Sequence, residues 1–111
     1  MDQLDIQTAA GNQPGTRILK LSGPFTLPTV FDFQTTVREA KDPFTIIDLT
    51  GVPYMDSAAL GSILGFHASC QREGRRYALI GVSDRLKTLF RVAGVEGIIA
   101  IFPNLEAAQS S

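Results

Sequence analysis

Phe44-Thr45-Ile46-Ile47-Asp48-Leu49 constrains this chain more than any other stretch. It is β-branched and apolar, the pattern of a largely buried strand. Gly51 and Pro53 interrupt regular pairing directly after it. From Ala58 the apolar positions change to helical spacing, which lasts to about Glu73. Ser57 stands at the switch, where a helix wants an N-cap whose oxygen accepts from an orphan backbone N–H. A strand that delivers a hydroxyl to a helix N-terminus makes a place where negative charge is well tolerated. Local chemistry leaves two readings open: Ser57 is a plain cap, or it is a site.

The chain has 111 residues, 44% of them hydrophobic, enough for one domain with a real core. Its formal net charge of −1 gives no general pull toward nucleic acid or an anionic membrane. Arg72, Arg75, Arg76, Arg85, Lys87 and Arg91 cluster in the second half and read as a solvated face. The lone cysteine, Cys70, excludes an intramolecular disulfide and reads as a small buried hydrophobe. Met1-Asp2-Gln3-Leu4-Asp5 has no signal-segment character, and no apolar run approaches the roughly 20 residues that span a bilayer. A cytoplasmic location is the expectation.

Leu4 and Ile6 alternate with polar residues as a half-buried strand. Gly11-Asn12-Gln13-Pro14-Gly15 is turn chemistry, so Thr16 to Ser22 returns as the second arm of a hairpin whose inward face the alternation leaves ambiguous. Pro28 suits a helix start, and Val30, Phe33, Val37 and Ala40 form one stripe that Phe31 widens. Gly74 supplies the stop of the second helix, and Tyr77-Ala78-Leu79-Ile80 makes a strand. Ser83 caps a third helix that packs through Leu86, Leu89, Phe90 and Val92 and stops at Gly94. Ile98 to Phe102 reads as a last strand, Pro103 to Ala108 as a short helix, and residues 109–111 as a frayed tail. Strand and helix alternate after the hairpin, so the class is α/β with a mixed sheet of about five strands and helices mainly on one face.

Catalytic chemistry is thin. Ser57 and His67, the only histidine, are ten residues apart on one helix, about 15 Å along its axis, so they cannot share a hydrogen bond. His67 falls within the stripe Leu60, Ile63, Leu64 and Cys70 and reads as a satisfied, partly buried residue. One histidine and one cysteine do not make a metal ligand set, and no phosphate-cradling glycine motif is present. The sequence therefore points away from an enzyme and implies no cofactor.

Tyr54-Met55-Asp56-Ser57-Ala58-Ala59-Leu60-Gly61-Ser62-Ile63-Leu64-Gly65 resembles the phosphorylation-site segment of the STAS domain family, in its anti-sigma factor antagonist branch. The resemblance extends from about Leu4 to Ala108. It includes Asp48-Leu49-Thr50 before the segment and Leu86-Lys87-Thr88-Leu89-Phe90 with Gly94 after it. It implies a STAS-like domain with Ser57 as phosphoacceptor and Asp56 beside it. It also implies two partners: an anti-sigma factor that is itself a serine kinase, and a serine phosphatase. Unmodified, such a domain binds the anti-sigma factor and frees a sigma factor; phosphorylation releases it. Members often carry an acidic residue in a Gly-x-x-Asp arrangement, where this chain has Gly23-Pro24-Phe25-Thr26. Thr26 keeps an oxygen there and loses the charge; Ala59 stands where glycine is common. The alternative is a STAS-like subunit that binds constitutively in a lipid-transport or signalling assembly, with Ser57 only a cap. The oligomeric state stays open between monomer and weak dimer.

At about 100° per residue, Ala58, Gly61, Ser62, Gly65 and Ser69 share the helix side opposite His67, with Arg72 extending it. Interior glycine costs about 0.8–1 kcal/mol relative to alanine. Two glycines on one stripe suggest either a surface kept low for a partner or a loop of the same chain lying across it.

Overall fold

The computed structural model describes residues 3–111; Met1 and Asp2, part of the terminus read above for signal character, lie outside them. A hairpin opens the chain, β1 (Asp5–Ala10) and β2 (Thr16–Ser22), paired antiparallel in register from Asp5↔Ser22 to Ala10↔Arg17. Helix α1 (Val30–Glu39), strand β3 (Phe44–Gly51), helix α2 (Ser57–Glu73), strand β4 (Arg76–Ile80), helix α3 (Asp84–Val92) and helix α4 (Leu105–Gln109) follow. The sheet order is β1-β2-β3-β4, with β2, β3 and β4 parallel. Crossovers through α1 and α2 put both helices on the same face.

Because successive side chains of a strand point to opposite faces, the sheet carries two cores. Leu19, Leu21, Ile47, Leu49 and Leu79 meet Phe33 and Val37 of α1, Ile63 and Phe66 of α2, and Leu86 and Phe90 of α3. On the reverse face Ile18, Phe44, Ile46, Ala78 and Ile80 pack against Ala108, with Phe102 and Leu105 at the margin. The ambiguous second strand is thereby resolved: Leu19 and Leu21 enter the main core, while on the other face Ile18 is buried and Lys20 and Ser22 stay exposed.

Four departures from the sequence reading have simple causes. Among the described residues the sheet has four strands, and Ile98 to Phe102 is not a fifth. Ile98 to Phe102 makes one parallel bridge, Ile101 to Leu79, with hydrogen bonds from the Leu79 N–H to Ala100 and from the Phe102 N–H to Leu79. The Ile98 and Ile99 N–H groups both donate back to the Val95 carbonyl, at 2.9 and 3.2 Å, so these residues belong to the preceding turn and do not extend the ladder. Phe31 is 65% exposed and Val92 80% exposed, so neither joins the stripe assigned to it. The basic cluster is not uniformly solvated: Arg75, with a side chain 9% exposed, holds Glu73 at 2.8 Å and the Ala40 carbonyl at 3.2 Å. In the stretch expected to fray, Gln109 accepts from the Asn12 N–H at 2.7 Å and Ser111 accepts from Arg76 at 2.7 Å.

Gly74 adopts φ +67 as the left-handed stop of α2, the conformation that favours glycine. The Ser83 hydroxyl caps α3 by accepting from the Leu86 N–H at 3.2 Å.

Candidate functional site

The hinge between β3 and α2 is built from paired backbone. A register irregularity between Lys20 and Ser22 lets β3 run on to Gly51, whose carbonyl accepts from the Gly23 N–H at 2.9 Å. The chain then turns at Val52 and passes beside Phe25: the Phe25 N–H donates to Tyr54 at 3.2 Å, and the Asp56 N–H donates to Phe25 at 3.3 Å. The buried side chains of Phe25 and Met55 anchor the two segments to the main core. This fixes the loop after β2 next to the start of α2.

Asp56, not Ser57, is the N-cap. Its backbone is extended, and its carboxylate accepts from the Ala59 N–H at 3.0 Å and from the Leu27 N–H at 2.9 Å. The expectation of a serine cap is therefore corrected by one residue. Aspartate and serine are comparable caps, and the aspartate reaches the loop after β2 as well as the helix. Partial burial pushes the Asp56 carboxyl up, but the N–H groups of Ala59, Leu27 and Ala58 outweigh it and hold the carboxyl below its usual range. Ser57 becomes the first helical residue. It is exposed, and its hydroxyl makes no hydrogen bond among the described residues.

Thr26 lies on the adjacent loop but turns its polar backbone groups inward. Its N–H donates to the Thr29 hydroxyl at 3.0 Å, and its carbonyl accepts from the Thr29 N–H at 3.0 Å. Asp56, Ser57, Ala58 and the Thr26 loop thus form one locus. Gly61, Ser62, Gly65 and Ser69 lie further along α2 and line a groove against α1 with Gln34, Arg38 and Lys41. Ser62 is 8% exposed and donates to the Ala59 carbonyl at 2.7 Å, so it is groove floor rather than free surface.

His67 contacts the Tyr77 hydroxyl through Nδ1 at 2.8 Å and meets that ring edge-on at 5.5 Å. Burial pushes the Tyr77 hydroxyl up from its ordinary pKa. This pair is structural and remote from Ser57. Sequence reasoning missed a cleft of about 450 Å³ lined by Tyr54, Met55, Arg85, Leu86 and Leu89. Its signal was Arg85 one residue before the buried Leu86, a placement hidden within the basic cluster. No helix among the described residues is long and apolar enough to cross a membrane.

A family model described as the STAS domain matches residues 7–108. The chain belongs to the STAS domain family. An anti-sigma-B factor antagonist from Listeria monocytogenes is 46% identical over 72 residues, a match spanning 59% of this STAS chain and 63% of that relative. A solved anti-sigma factor antagonist from Mycobacterium paratuberculosis superposes with a TM-score of 0.81 at 16% identity, over 96% of this chain and 92% of that one. The phosphorylated form of the Bacillus cell fate determinant SpoIIAA gives a TM-score of 0.73 at 18% identity, over 96% and 98% of the two chains. At these identities the two structures establish the STAS fold alone.

Proposed function

We propose that this STAS domain is an anti-sigma factor antagonist switched by phosphorylation of Ser57. In the unmodified form it binds an anti-sigma factor that is also a serine kinase, and so frees a sigma factor. Transfer of the γ-phosphoryl group of ATP forms a bond from phosphorus to Ser57 Oγ and breaks its bond to the ADP oxygen. The hydroxyl proton passes to a base of the kinase, because the Asp56 carboxylate, held below its usual range by the N–H groups it accepts, is a weak base. A serine phosphatase reverses the modification.

The observation that carries this reading is that the capping duty falls on Asp56, leaving Ser57 exposed and unengaged at the helix start. A phosphoserine there adds about 1.5–2 negative charges at a helix N-terminus, which tolerates them, beside the Asp56 carboxylate. The fold is preserved while the surface becomes strongly negative. A charge left unpaired against a partner costs roughly 2–5 kcal/mol, about thirty- to several-thousand-fold in affinity.

The test is incubation with ATP and the native kinase, followed by mass analysis of the modified peptide. Phosphate on Ser57, absent from Ser57→Ala, is the expected result. Phosphate on Thr50, Ser62 or Ser69 with Ser57 untouched would overturn the assignment. Ser57→Asp should lower affinity for the anti-sigma factor without unfolding. Equal affinity of the two forms would favour the constitutive module, a reading to which the uncharged Thr26 lends its weight.

A further inference from the structure

Beyond the Ser57 locus, α1 and α2 lie side by side and leave between them a cavity of about 340 Å³. Val37, Phe66 and the backbone of Gly61 and Gly65 form its floor. A Cβ added to either glycine would meet nothing within 4 Å, so no loop among the described residues covers the floor at these positions. The walls are charged unevenly. Arg38, Lys41 and Arg75 face a single acid, Glu73, which is already engaged by Arg75 at 2.8 Å and Lys41 at 3.7 Å. Arg38 makes no ion pair among the described residues. The groove therefore keeps an excess of positive charge over a bare, low floor.

We propose that this groove receives an acidic helical segment of a partner protein, with Arg38 and Lys41 as its charge-reading residues. A cleft between two helices with a glycine floor admits a third helix at close range. Gly61 to Ser69 spans about 12 Å, two turns of an occupant. A small anion fits less well, since its sites converge a few polar groups on one point, whereas here the cations come from separate segments: Arg38 in α1, Lys41 after it and Arg75 after α2. The Thr45 hydroxyl, the buried side-chain atom without a partner among the described residues, does not line the groove. The inference rests on the reading of the domain as a binding module and does not require that Ser57 be modified. It gives the exposed strip of α2 two ends of opposite sign: Asp56 and Ser57 at one, the cationic groove at the other.

The experiment uses the isotope-labelled full chain and a 15-residue helical peptide with glutamates on one face and leucines on the other. Expected are amide shifts centred on Gly61, Gly65, Ser69 and Arg38, weakening as salt is raised. Affinity should fall at least about tenfold in the double variant Arg38→Glu, Lys41→Glu, and a lysine-faced peptide should give no shifts. Both residues are exposed and Lys41 gives up only a 3.7 Å surface pair with Glu73, so the double variant should melt close to wild type; Arg38→Gln, Lys41→Gln replaces it if not. No shifts at millimolar peptide, shifts centred elsewhere, or equal affinity for the double variant would overturn the proposal. So would anionic phospholipid vesicles shifting these amides where the peptide does not. Because the peptide assay does not involve the kinase, failure here leaves phosphorylation of Ser57 standing. Binding here with Ser57 never phosphorylated removes only the switch.

Discussion

At the scale of single residues, two neighbours divide work that the sequence assigned to one. Aspartate at the cap satisfies two N–H groups on separate segments, so removing it should cost more than removing Ser57. Asp56→Ala should lose about 1 kcal/mol or somewhat more by urea titration, whereas Ser57→Ala, which gives up no hydrogen bond, should stay within about 0.5 kcal/mol of wild type. Asp56→Asn separates charge from shape. The amide oxygen can still accept from Ala59, but an NH₂ group then faces the Leu27 N–H. Because the folded carboxyl is held below its unfolded value of about 3.9, its contribution is complete above that pH and disappears as pH falls through the folded value. The advantage of wild type over Asp56→Asn should therefore be constant near neutrality and shrink below about pH 4. An advantage that grew on acidification would show that the carboxylate is not stabilised by these bonds.

At the scale of elements, β3 and α2 explain what was legible and what was not. The β3 run, the helical period after it and the Gly74 stop are short-range signals, and each appears where the sequence places it. The cap was misplaced because serine and aspartate are equivalent by type; which one caps depends on the Leu27 N–H, contributed from a loop 29 residues away. The groove was half legible. The glycine stripe on α2 was visible, but Arg38 and Lys41 come from another element and only packing unites them. Gly65→Leu tests that face. With open space above Cβ and leucine the better helix former by nearly 1 kcal/mol, the melting temperature should hold or rise while partner binding is lost. A stable variant that binds normally would remove this helix as the recognition element. In β3, Thr45 is 1% exposed and its hydroxyl has no partner among the described residues. Thr45→Val keeps the shape and removes the unpaired group, so it should be neutral or stabilise by about 1 kcal/mol; a clear loss of stability would reveal a hydrogen bond through water.

At the scale of the whole molecule, the sheet carries buried side chains on both faces of β3 and β4, although β1 is largely exposed and three of the four helices among the described residues lie on one face. The alternation in β2 was ambiguous because Ile18 is buried on the reverse face as Leu19 and Leu21 are on the main one, and residues 102–111 supply the second cover. After the single bridge of Ile101 to Leu79, the chain crosses to the reverse face, where Asn104 caps α4 by accepting from the Ala107 N–H at 2.8 Å. Ala108 is fully buried there, and Arg76 lies over the Phe44 ring at 4.3 Å while donating to Ser111. A helix of five residues cannot be stable alone, so α4 persists through this packing, and in return it keeps Ile18, Phe44, Ile46, Ala78 and Ile80 from water. Ending the chain after Phe102 should uncover that patch. With about 1.5–3 kcal/mol per large apolar side chain taken fully into the core, partial exposure of several should cost roughly 2–5 kcal/mol. That is a large share of the 5–15 kcal/mol typical of a whole domain. The expected result is a lower urea midpoint, binding of an apolar dye and concentration-dependent aggregation. The site on the opposite face should be spared in the fraction that remains folded, with Ser57 still open to the kinase. A truncated chain with unchanged midpoint and no dye binding would mean that the reverse face is closed by the strands' own side chains and that the terminal segment only rests on it.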